Sequence, residues 1–287
     1  MAPIDINNQD INSITLNGST DIDTVTVNGQ EVFSSQTLPV AYSNLIAWYP
    51  FDASTYGGSN ADDVTARFNP SQSGDSTAYD GTVSGASYQS NGGVTDINAG
   101  ANSGNFDISG SSTNEINIPN SAVQTGNSTR TTMCWVKVLE DTGDRQMAFG
   151  SANGEQAQAW EMEVYTVYTG NLSGGRRDGA LSIHTWSGYN ATDSNVISLN
   201  EWVHFAATHD GNPSNIQIYL NGDPVATVNN NDNSSSLNTS SQDNRIGYSQ
   251  AHSFGAHTFE GLIDDVRIYN RDLTNSEISA IYNATKP

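Results

Sequence analysis

Gly261–Tyr282, GLIDDVRIYNRDLTNSEISAIY, is the stretch whose reading decides the fold. Side chains alternate along a strand, so Leu262, Asp264, Val266 and Ile268 share one face while Ile263, Asp265, Arg267 and Tyr269 share the other. The first face is apolar apart from Asp264. A helix start follows directly. Thr274 stands where an N-cap is needed, Glu277 three residues later closes a capping box, and Leu273 is placed to staple onto Ile278. Ile278, Ile281 and Tyr282 give this short helix one apolar side to lay on a sheet. A strand that ends in one capped helix near the C-terminus reads as the closing strand of an all-β domain.

Outward from it the same pattern recurs: short apolar runs bounded by Gly, Asn, Asp and Ser. Trp160–Val167 and Gly179–Trp186 read as a facing pair, Thr131–Leu139 as a central strand, and Leu220-Asn221-Gly222-Asp223 as a hairpin turn. Seven ordered segments carry a family likeness: LIAWYPFD (Leu45–Asp52), YDGTVSGASY (Tyr79–Tyr88), FDISGSSTNEINIPNS (Phe106–Ser121), TMCWVKV (Thr132–Val138), EWVHFAATHDG (Glu201–Gly211), IQIYLNGDPVAT (Ile216–Thr227) and GLIDDVRIYNR. Together they resemble the laminin-G-like, concanavalin A-like jelly-roll modules. The resemblance implies a jelly-roll β-sandwich, and a module that binds glycans or proteins more often than it catalyses.

Residues 1–37 differ. INSITLNGS (Ile11–Ser19) and IDTVTVNGQ (Ile22–Gln30) repeat at a spacing of eleven, each a short strand ended by Asn-Gly. Short hairpins are marginal alone in water. The segment is therefore expected to form a β stalk with the same segment of sister chains, a homo-oligomer; a hairpin packed on its own jelly roll is the alternative. Residues 38–44 read as a linker and 45–287 as the jelly-roll domain. The opening MAPIDINNQD has neither the basic nor the apolar region of a signal peptide, and no stretch reaches membrane-spanning length, so no membrane insertion is expected.

The formal net charge is −21, with two lysines, Lys137 and Lys286, in 287 residues. Dense carboxylates with scarce lysine point to adaptation to high salt, where self-repulsion is screened. No basic stripe exists to neutralise phosphates, which excludes nucleic acid as a partner. Cys134 is the sole cysteine, so no disulfide lies within the chain, and its place in TMCWVKV reads as a small core residue.

Asp264 is the leading metal candidate. A carboxylate on an apolar strand face must be paired, hydrogen-bonded or metal-bound, and calcium takes oxygen donors. The family resemblance implies a structural calcium shared by Asp264, Asp52 and the backbone near Gly81, with Asp80 a further donor. The alternative is that Asp264 accepts backbone hydrogen bonds from a neighbouring loop. Glu161 and Glu163 alternate in WEMEVY, which fits a carboxylate pair for glycoside hydrolysis. The glucanase pattern calls for a third acidic position, whereas position 165 is Tyr, and an exposed acidic strand face accounts for the pair. His204 and His209 are five apart on a strand and project to opposite faces. Tyr168, Tyr189, Arg176 and Arg177 are the exposed candidates for a glycan platform, with Trp160 and Trp186 assigned to the core.

These readings combine into a non-enzymatic adhesion protein at a virion surface, a spike, turret or fibre of a virus of a salt-loving host, anchored among other virion proteins. Its jelly roll would bind a host cell-surface glycan or glycoprotein. A structural decoration protein without receptor binding, and a secreted glycoside hydrolase, are the alternatives.

Overall fold

The computed structural model describes strands at 4–6, 9–11, 24–27 and 30–34, and then residues 44–51, 59–63, 79–89, 92–94, 105–109, 114–152, 158–165, 179–185, 188–212, 214–231, 237–249 and 257–287. The chain divides into two compact units, Met1–Leu38 and Pro39–Pro287. In the first, Ile4–Ile6 pairs antiparallel with Gln9–Ile11, and Thr24–Val27 with Gln30–Ser34. Val27 opposes Gln30 across Asn28-Gly29, the second Asn-Gly of the repeat. The strand expected around Ile14–Gly18 lies outside the described residues.

The second unit is a sandwich of two antiparallel sheets. Among the described residues one sheet has nine strands, in the order Val228–Asn231, Gly188–Ala191, Ala180–His184, Trp160–Tyr165, Arg145–Ala152, Asp243–Ile246, Glu115–Asn117, Gly81–Ser84 and Asn60–Ala61. The other runs Asp223–Val225, Ile216–Leu220, Val203–His209, Arg130–Val138, Gly261–Tyr269, Asn105–Asp107 and Ser87–Gln89, with Leu45–Tyr49 also pairing with Gly261–Tyr269. Leu181, Ile183, Met162, Val164 and Phe149 from the first sheet meet Cys134, Val136, Phe205, Ile218 and Val266 from the second in one continuous core. At roughly 25 cal/mol per Å² of apolar surface removed from water, such burial is the main force closing the two layers. Cys134 is one of these core residues, and burial pushes its thiol up, away from reactivity.

The closing strand departs from strict alternation. Met133 opposes Arg267 but Trp135 opposes Asp264, so one extra residue is inserted, and Asp265 takes φ +48°. This β-bulge switches the inward face: Ile263 enters the core before it, Val266 and Ile268 after it. Asp264 is buried, yet it belongs to the bulge and not to one continuous apolar face.

Two local predictions appear as written. Thr274 and Glu277 form the capping box of a helix, which at Asn275–Thr285 is longer than a single turn. Asn221 (φ 51°) and Gly222 (φ 84°) form the two-residue turn that sets Leu220 opposite Asp223. The helix lies on the outer face of the eight-stranded sheet, where Tyr282 stacks on Trp135 (centroids 5.6 Å apart) and the indole N–H of Trp135 donates to Thr285 Oγ1 at 2.9 Å. No helix among the described residues is long and apolar enough to cross a membrane.

Candidate functional site

Because Trp160, Met162 and Val164 point into the core, Glu161, Glu163 and Tyr165 point to the outer face of the nine-stranded sheet. Leu181 and Ile183 point inward on the next strand, so Ser182 and His184 join them; Glu163 opposes Ser182 and Glu161 opposes His184. Both glutamates are fully buried, which corrects the expectation of an exposed acidic strand face. The cover comes from residues distant in sequence. Ser249 Oγ donates to Glu161 Oε1 at 2.7 Å, and His184 Nδ1 lies 3.1 Å from Glu161 Oε2. Tyr165 Oη donates to Glu163 Oε2 at 2.6 Å, and Arg145 Nη1 approaches Glu163 Oε1 at 3.4 Å. Burial on its own would lower the Arg145 guanidinium; Glu163, with Tyr165, Asp144 and Glu161 adding, outweighs it and raises the group. Arg145 Nε also donates to His257 Nε2 at 3.0 Å, which makes that imidazole nitrogen an acceptor. Two carboxylates at this depth persist only with such compensation.

Asp264 is fully buried as well. Its Oδ2 accepts the Val94 N–H at 2.8 Å, a hydrogen bond from a neighbouring loop of the kind that was the alternative to a metal, and its Oδ1 accepts the N–H of the adjacent Asp265 at 2.7 Å. Asp80 Oδ1 accepts the Asp63 N–H at 2.9 Å, and Gly81 pairs with Ala61. Asp52 lies outside the described residues. Among those described, the acidic and imidazole groups that gather within metal-binding reach are Glu161, Glu163 and His184, a set that does not include Asp264 or Asp80. Calcium at Asp264 is a proposal, and its test is in solution.

Of the platform candidates, Tyr189 is buried and not exposed, because its strand is interior to the sheet and sets it opposite His184. Tyr168, Arg176, Arg177 and Trp186 lie outside the described residues. Trp160 is core, as expected. His204 packs near Trp135 and His209 near Trp160, on opposite faces of their sheet.

A groove that the sequence reading did not single out lies on the other sheet. It has a volume of about 640 Å³ and runs between the Ile216–Leu220 strand and the start of the helix. Asp210, Asn215, Gln217, Tyr219, Asp272 and Asn275 line it, and among the described residues no lysine or arginine does. Tyr219 Oη donates to Asn275 Oδ1 at 2.7 Å, and burial raises this phenol. The Asn215 amide, then the Asn212 N–H, hold the Asp210 carboxyl below its usual range. The groove is an open depression whose amides, carboxylates and one aromatic ring suit a hydrogen-bonding ligand more than an apolar one. Its components are separated in sequence by more than fifty residues, so only the fold brings them together.

A family model described as the concanavalin A-like lectin/glucanases superfamily matches residues 109–279, and the chain belongs to that superfamily. No curated protein matches it. Among solved structures it is similar to domain 4 of AbnA, an extracellular GH43 arabinanase from Geobacillus stearothermophilus, in complex with arabinotriose. The identity there is 19% and the TM-score 0.50, covering 83% of this chain and 98% of that one. It is also similar to Trypanosoma rangeli sialidase in complex with 2,3-difluorosialic acid, at 18% identity and TM-score 0.54, with 91% of this chain on 36% of the sialidase. A mutant of that sialidase displaying trans-sialidase activity gives 15% and 0.52. The chain thus spans about a third of the sialidase length. These likenesses carry the fold, and they remove the expectation that the protein is no enzyme: chains of glycoside hydrolases contain this sandwich, and a buried glutamate pair sits on its sheet.

Proposed function

We propose that the protein is a glycan-binding adhesion module of a virion surface, and that a neutral glycan binds in the groove between the Ile216–Leu220 strand and the helix. The groove itself carries the reading: six polar or aromatic side chains line an open depression of about 640 Å³, with no basic residue among the described ones. Amides and carboxylates hydrogen-bond sugar hydroxyls, and a tyrosine edge suits the apolar side of a ring. Asp210 and Asp272, on a chain of net charge −21, repel sialylated or uronic-acid sugars. Support for a sugar ligand also comes from the arabinanase domain of similar fold, solved with arabinotriose. The virion setting rests on the acid-rich, lysine-poor composition and on the N-terminal hairpins as an oligomerising foot.

The test is calorimetric titration of neutral and sialylated oligosaccharides in molar salt, with wild type and with Asn215→Ala and Asp272→Ala. Neutral sugars bind, and each substitution weakens binding about tenfold, the worth of one net hydrogen bond. Equal binding by both variants would place the ligand elsewhere. Deletion of residues 1–37 yields monomers by light scattering; an unchanged oligomer would refute the foot.

Glycoside hydrolysis is a second reading, favoured by Glu161 and Glu163, which contribute oxygens lying within 4.8 Å of each other. That limit sets the two carboxylates close together, on the side of the roughly 5 Å of a retaining pair and not of the wider inverting arrangement. Release of reducing sugar that vanishes in Glu161→Gln is its signature.

A further inference from the structure

We infer that Glu161, Glu163 and His184 bind a divalent first-row cation of the zinc type. One donor atom from each lies within 4.8 Å of the others, with His184 Nδ1 3.1 Å from Glu161 Oε2 and 3.9 Å from Glu163 Oε1. Zinc sits roughly 2.0–2.2 Å from nitrogen and oxygen ligands, so two donors on one ion are at most about 4.2 Å apart. The His184 distances already meet that limit, and the two carboxylate oxygens, within 4.8 Å of each other, need a shift of at most about 0.6 Å. The site is placed by register on two adjacent strands, which holds the donors without any ion.

The hydrogen bonds around the cluster orient it. Ser249 holds Oε1 of Glu161 and Tyr165 holds Oε2 of Glu163, so Oε2 of Glu161 and Oε1 of Glu163 are turned toward His184. Such outer partners are what fix the first ligands of a metal. Arg145 reaches Glu163 from the adjacent strand, and His257 meets that guanidinium with an accepting nitrogen.

Ser182 supplies a separate observation. It is fully buried, it opposes Glu163 on the same sheet face, and its Oγ has no hydrogen-bond partner among the described residues. A buried hydroxyl without a partner has lost its water and gained nothing in return. A cation or its bound water between the glutamates and Ser182 makes good that loss. An imidazole among the donors selects zinc-type ions over calcium and magnesium, which prefer all-oxygen sets.

This site is separate from the glycan groove, and the inference does not depend on that reading. It opposes hydrolysis at the same carboxylates, since a bound cation occupies the oxygens that acid–base chemistry uses. The experiment is calorimetric titration of the chelator-stripped full chain with zinc, manganese, calcium and magnesium chlorides, with melting scans alongside. Zinc binds one per chain, at least a hundredfold tighter than calcium, and raises the melting temperature. Glu163→Gln and His184→Asn each weaken zinc at least tenfold, while Asp272→Ala leaves it unchanged. Should either of the first two fail to fold, the wild-type preference for zinc over calcium still decides. Absence of saturable zinc binding, equal affinity for calcium, or undiminished binding in both folded variants overturns the inference. Sugar titrations on the same samples report the groove independently.

Discussion

Asp265→Asn tests whether the bulge in the closing strand is held by charge. Arg267 is fully buried, its Nε donates to Asp265 Oδ1 at 3.0 Å, and its guanidinium lies 4.4 Å from the centre of the Trp48 ring. The Trp48 indole N–H donates to the same Asp265 oxygen at 2.6 Å. Asparagine tolerates positive φ, so the substitution keeps the backbone at +48° and removes only the charge. Breaking one half of a buried ion pair costs about 3–5 kcal/mol because the other charge stays behind. For a unit of this size, Tm moves about 2–4 °C per kcal/mol, so the fall is roughly 6–20 °C. Arg267→Met keeps the stem but gives up the ring contact, worth about 1–2 kcal/mol, as well as the pair. The double variant leaves no orphaned charge and should cost clearly less than the two singles together. Urea titration followed by far-ultraviolet circular dichroism measures all four proteins. A loss below about 1 kcal/mol for Asp265→Asn, or singles that add to within about 0.5 kcal/mol, refutes the reasoning.

Burial, with Arg267 adding, lowers His204 to about 3, and burial, with Arg130 adding, lowers His209 to about 4. Both folded values lie below the unfolded value near 6.5, so the unfolded chain binds more protons and stability drops as pH falls from about 6.5 toward 4 and then 3. Each histidine contributes up to about 1.4 kcal/mol per pH unit in its window; His204→Phe should flatten the urea midpoint between pH 6 and 4, and an unchanged slope would exclude His204. A Cβ added at Gly261 would collide with the Lys137 carbonyl oxygen. Gly261→Ala should therefore cost about 1–3 kcal/mol with an unchanged m-value, and a neutral result would show that the two strands part easily. For calcium at Asp264, chelation of zinc-free protein lowers the melting temperature and calcium alone restores it; indifference to both rejects that ion.

Much of the scaffold could be read from local chemistry. The capping box of Thr274 and Glu277 and the Asn221-Gly222 turn follow from residue types within four positions of each other. The bulge was not legible, because Asp265 replaces the glycine that usually marks a left-handed backbone. The sharing of one face by Glu161 and Glu163 was evident from alternation, but their burial was not. It depends on Arg145, His184 and Ser249, which reach the pair from three other strands. Tyr189 looked exposed beside a Gly-rich turn, and only the pairing with Val228–Asn231 makes its strand interior. The groove escaped notice for the same reason: Tyr219 and Asn275 are neighbours only after the helix folds back.

The sandwich ends in meagre margins. Asn60–Ala61 has two residues, Ser87–Gln89 three, Asp223–Val225 carries a proline, and Val228–Asn231 is mostly asparagine. Among the described residues such rims offer few unpaired amides in a row for a neighbouring copy to zip onto, and the longer Leu45–Tyr49 strand, paired on one side, is buried. A protein of this kind can be crowded into a dense array without its bodies fusing edge to edge, leaving any association to be specified elsewhere in the chain.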